Sequence, residues 1–67
     1  MAAPDMPTTA SLSTMTSQVD ELLARTLVGA RATDRDGTEA VSAALYDAER
    51  ALRSARRALE AAGRRLG

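Results

Sequence analysis

Cysteine, histidine, lysine, isoleucine, phenylalanine and tryptophan are all missing from this chain of 67 residues, and several of these absences close a class of function. Without cysteine there is no disulfide to staple a small fold and no thiolate nucleophile. Without histidine the usual proton shuttle at neutral pH is gone, and the two absences together remove the commonest ligands of a transition metal. Tyr46 is the single aromatic residue, too little for the stacked platforms that bind single-stranded nucleic acid. No apolar run is long enough to span a bilayer. The first residues hold Asp5, Pro4 and Pro7 where a secretory signal would need basic and then apolar segments, so no such signal is expected. These exclusions lead to the expectation of a cytoplasmic protein that is not an enzyme and has neither metal nor cofactor.

What is present is alanine, leucine and arginine. Fifteen residues are Ala, eight are Leu and three are Val, so the inventory for a core is thin. Acids and arginines balance at nine each, but unevenly: residues 1–40 hold six acids and three arginines, and residues 41–67 hold three acids and six arginines. Side-by-side antiparallel packing of the two halves would partly cancel these charges.

One stretch is strongly periodic. Across residues 41–66, apolar side chains fall at Val41, Leu45, Ala48, Leu52, Ala55, Leu59, Ala62 and Leu66, with alternating gaps of four and three. This is a heptad seam with leucine at a and mostly alanine at d. Ala44, Ala51 and Ala58 add a column at g, so the apolar face is broad and lined by methyl groups. These small side chains would let another helix approach closely.

Residues 1–12 mix Ala, Pro, Ser and Thr without period and read as a flexible tail. A first helix is expected over about 14–32, with Ser17 and Asp20 at capping-box spacing and Ser13 as an alternative cap. Leu12, Met15, Val19, Leu22 and Thr26 continue the three-four spacing along its apolar side, Leu23, Leu27 and Ala30 widen that face, and Gly29 is read as interior to the helix. Residues 33–38, TDRDGT, read as a turn, because Asp and Thr bond to nearby backbone and Gly37 tolerates dihedrals that other residues resist. A second helix is expected over about 39–65, with Thr38 or Asp36 as its cap. The fold class predicted is therefore all-α: an antiparallel helical hairpin over 13–67 with a Leu/Ala heptad seam, assembling into a dimeric four-helix bundle. Folding about a point between Arg35 and Asp36 sets Thr26 near Leu45, Leu23 near Ala48 and Val19 near Leu52.

The remaining constellations favour plain readings. Asp34, Asp36 and Gly37 resemble the middle of a calcium loop, yet Ala32 and Ala43 stand where that motif needs its first ligand and its closing Glu. Arg50, Arg53 and Arg57 lie on the polar side of the second helix among six arginines within residues 50–65. Interleaved acids and zero net charge argue against phosphate-backbone binding, and these three are instead the candidate contacts for a protein partner. Carboxylates such as Asp47 and Glu49 are two apart and point in different directions on a helix.

The function expected on these grounds is a protein–protein interaction or assembly module, a self-associating helical adaptor or regulatory subunit. Its partner would be itself, as dimer or tetramer, or a larger cognate protein on which it folds. A nucleic-acid-associated helical protein using the arginine face is the weaker alternative, and no membrane partner is expected. The eight seam positions from Val41 to Leu66 named above are the predicted association residues.

Overall fold

In a computed structural model, which describes residues 6–67, the chain forms two helices, α1 (Thr9–Arg35) and α2 (Glu39–Leu66), packed against each other as a hairpin. The helices have 27 and 28 residues, each about 40 Å long at about 1.5 Å per residue.

α1 begins earlier than the sequence pattern predicts. Residues 9–12, expected in the tail, form its first turn, and the part of that tail in residues 1–5 lies outside the described residues. The start is set by a capping box in which the Ser11 backbone N–H donates to Thr8 Oγ1 (3.0 Å) and the Thr8 N–H donates to Ser11 Oγ (2.9 Å). Serine replaces the usual Glu or Gln at the reciprocal position, which hid this box behind the more familiar spacing of Ser17 and Asp20. Thr14 and Thr16 satisfy their hydroxyls on the carbonyls of Ala10 and Leu12, so polar composition does not interrupt the helix. Leu12 is buried and ties this first turn to the core. Replacing Thr8 by Ala is expected to cost about 1 kcal/mol, measurable as a lower melting temperature with fraying confined to the start of α1.

The far end of α1 also runs on, past residue 32 to Arg35. Asp36 caps it, donating its N–H to the Ala32 carbonyl at 3.1 Å. The reversal therefore falls on Asp36, Gly37 and Thr38. Gly37 takes φ 83°, the chain's one positive-φ position among the described residues. Gly37→Ala should destabilise the hairpin by about 1–2 kcal/mol, because a Cβ clashes with the following carbonyl there. Gly63 offers the opposite test. A Cβ there meets nothing within 4 Å, so Gly63→Ala should gain up to about 1 kcal/mol of helix propensity. A pair of thermal melts in which both variants moved the same way would contradict this account of the two glycines.

Thr38 is the N-cap of α2 by position, but its side chain does not cap the helix. Its hydroxyl turns back and donates to the Thr33 carbonyl at 2.9 Å, reinforcing the backbone bond from the Thr38 N–H to the same oxygen. Asp36, the rival cap, belongs to the end of α1.

Moving the reversal point shifts the register by about one helical turn. Leu45 packs not at Thr26 but at Gly29, where an added Cβ would lie 3.5 Å from Leu45 Cδ1. Arg56 Nη1 donates to Asp20 Oδ1 at 3.0 Å, and Ser42 Oγ approaches Asp34 Oδ1 at 3.5 Å. With this register and the longer α1, α2 is accompanied as far as Gly63, which shares a shallow groove with Thr9, Leu12 and Thr16. The core between the helices is thin: Leu12, Leu23 and Ala30 are its buried apolar residues, and Ser42 is buried beside the turn.

Candidate interaction surface

Heptad positions determine which side of α2 meets α1. Leu45, Leu52 and Leu59, at a, are half-buried, as are Glu49, Arg56 and Gly63, at e; Ser42, also at e, is buried. α1 therefore covers the a/e edge of α2 rather than an a/d stripe. The alanine half of the seam lies to one side. Val41, Ala55 and Ala62 are exposed and Ala48 is half-buried, while Leu66 at the far end is 45% exposed. The g column of Ala44, Ala51 and Ala58 is exposed throughout.

In an antiparallel pair the two helices run round their wheels in opposite senses when viewed from one end, so positions displaced the same way from the contact line share one flank of the hairpin. The cross-helix contacts fix which positions share which flank. One flank is polar. It carries the Asp20–Arg56 pair, the Asp34–Ser42 contact and, near the open end, Ser13, Ser17, Glu60 and Arg64. Arg50, Arg53 and Arg57 lie toward this flank and the outer edge of α2. Arg50 pairs with Asp47, and Arg53 Nε donates to Glu49 Oε2 at 2.8 Å. Arg57 is exposed and forms no ion pair with a described residue. Two of the three candidate partner-binding arginines are thus engaged within their own helix. Exposed pairs of this kind contribute only about 0–1 kcal/mol each, so a partner could still recruit those side chains.

The other flank is apolar. On α1 it carries Met15 and Leu22, which are 43% and 46% exposed, with Gly29 continuing their seven-residue spacing. On α2 it carries Val41, half exposed, and the two alanine columns. The charges on this flank stand at its margins, Arg25 on α1 and, between Ala40 and Ala62 on α2, Asp47.

No protein family matches this sequence, and no curated protein or solved structure shows a significant match to it. The reading of this surface therefore rests on its own chemistry. Among the described residues no three carboxylates gather to hold a metal ion, and no described helix is long and apolar enough to cross a membrane. Asp34 and Asp36 stand in the last turn and cap of α1 rather than in a calcium-type loop. Tyr46 is half-buried at the edge of α2 near the turn.

Sequence reasoning had singled out α2 alone for association. The three-four spacing puts Met15 and Leu22 on the apolar side of α1, but only the hairpin register brings them beside the alanine columns of α2. Their spacing of seven, continued by Gly29, was the available signal.

Proposed function

We propose that this protein is a self-associating helical module whose role is protein–protein assembly, the assembled unit acting as an adaptor or small regulatory subunit. The observation that carries this reading is the uncovered half of the seam. Among the described residues the hairpin fully buries only Leu12, Leu23 and Ala30 of its apolar side chains, and it leaves Met15, Leu22, Val41 and the alanine columns of α2 apart from half-buried Ala48 exposed to water. A monomer that exposes a continuous apolar face of this kind is poorly satisfied, and such faces mark interaction sites. Pairing two hairpins as a four-helix bundle would cover it while leaving the arginines of α2 free to meet a further, acidic partner.

Sedimentation equilibrium across a concentration series, with circular dichroism on the same samples, tests the proposal. A helical dimer or tetramer supports it. A monomer at every concentration overturns it, and a poorly helical monomer would assign the apolar face to a larger cognate protein on which this chain folds.

A further inference from the structure

We infer that the apolar flank is covered by a second copy of this chain, packed flank to flank with the two turns at opposite ends, so that α1 lies on α1 and α2 on α2 about one two-fold axis. This inference rests on the self-association proposed above, and it adds which residues meet and in which direction.

The spacing of side chains on the flank is self-complementary in this arrangement. On α1 the column Met15, Leu22, Gly29 is centred on Leu22. Reversed upon itself, it sets each Leu22 against the other and places each Met15 at the level of the second copy's Gly29, where Leu45 of that copy already packs on the glycine. On α2 the column Val41, Ala48, Ala55, Ala62 reverses about its middle, pairing Val41 with Ala62 and Ala48 with Ala55. The hairpin register brings these two centres to nearly the same level, so a single two-fold axis serves both helices. Isologous contacts require this self-matching, and alanine at successive d and g positions allows the two α2 backbones to approach closely.

The spacing sets the direction, and the summed charge of the two ends agrees with it at long range, because Asp34, Arg57, Glu60 and Arg64 lie toward the polar flank and outside the contact. The turn end carries Asp34, Asp36 and Glu39 against Arg31 and Arg35, and the open end carries Arg57, Arg64 and Arg65 against Glu60. Turns at opposite ends bring the acidic end of each copy beside the basic end of the other. Turns at the same end would set like charge on like.

The area is sufficient. A face about 40 Å long and two helices wide, about 20 Å, covers about 800 Å² per copy, the share each partner contributes to a standard interface.

Two variants and one cross-link test the inference. Ala55→Arg sits in the middle of the flank at a position exposed in the hairpin, and arginine is a good helix former. It should weaken dimerisation at least tenfold in sedimentation equilibrium, whereas Ala24→Arg, exposed on the polar side of α1, should leave the dimer intact. Because the chain has no cysteine, Leu22→Cys provides a single thiol. Under mild oxidation it should form a disulfide dimer, since the two-fold axis brings equivalent Leu22 positions within bridging distance. Val28→Cys, 67% exposed on the outer side of α1, should not. A wild-type monomer would remove self-association altogether. A wild-type dimer that tolerates Ala55→Arg would overturn the flank as its interface, and one in which Leu22→Cys fails to cross-link would overturn the opposed orientation alone.

Discussion

Leu52→Asp is expected to abolish most of the helical signal at micromolar concentration. Leu52 is the central leucine of the three that α2 turns toward α1, and the register places it at the level of Leu23, one of the few buried apolar residues. Leu52 is half-buried, so losing its contact removes about 1–1.5 kcal/mol, half the value for full burial, and desolvating a carboxylate between the helices adds a further penalty unless the helices separate. A single small core of this size rarely supplies more than about 3–5 kcal/mol, so the two terms together consume the stability available. Arg56, one turn on, could meet the new carboxylate only by leaving Asp20. Far-UV circular dichroism with sedimentation measures the outcome, and Ser54→Asp, on the exposed side of the same helix, is the control that should keep wild-type helicity. A folded Leu52→Asp protein of unchanged mass would sink the assignment of the leucine column to the hairpin core.

The second large effect is expected from adding volume. Ala30 is 0% exposed and lies where α1 and α2 come together near the turn, at the level of Leu45. Ala30→Leu keeps a strong helix former, so any loss reports packing rather than propensity. Forcing a branched side chain into this contact should cost about 1–3 kcal/mol. At about 4–8 °C per kcal/mol for a domain of this size, the melting temperature should fall by roughly 10 °C. Ala32→Leu, two residues on and exposed, should change it little. Equal melting temperatures for the two variants would mean that the helices do not meet at Ala30.

Both experiments bear on how α2 divides its apolar face. The heptad in residues 41–66 identifies the face but not its occupants, because a leucine every seventh residue serves an intrachain contact as well as an interchain one. In the hairpin the leucines meet α1 and the alanines do not. The difference follows from the direction of approach: α1 comes onto the a/e edge, where Ser42, Glu49, Arg56 and Gly63 flank the leucines. Its polar contacts with α2, Asp20 to Arg56 and Asp34 to Ser42, lie on that side. Periodicity presents the seam as a single surface, because it counts apolar positions without recording from which side each is covered.

The N-terminal turn illustrates a different limit. Of residues 9–12 only Leu12 joins the apolar period, and Thr and Ser are indifferent helix formers. The helix is nevertheless extended there by the Thr8–Ser11 box, by hydroxyls that bond back to carbonyls, and by Leu12 packing against the last turns of α2. The first two devices are written in local residues, although in an unfamiliar form. The third needs α2 alongside, and the reversal at Gly37 moves the level it meets about one turn on, from Leu59 toward Gly63.

The residues themselves determine two amphipathic helices, a glycine turn between them, and the absence of thiol and imidazole chemistry. Those properties follow from local conformational preference and side-chain inventory, which act over a few residues. Tertiary structure alone decides the register, the separation of a polar from an apolar flank, and the placing of Met15 and Leu22 beside the alanine columns of α2. These depend on contacts between residues as far apart as Asp20 and Arg56, and the physical reason is geometric: on a helix pair, sliding one partner by a single turn changes every neighbour while leaving each helix's own pattern untouched.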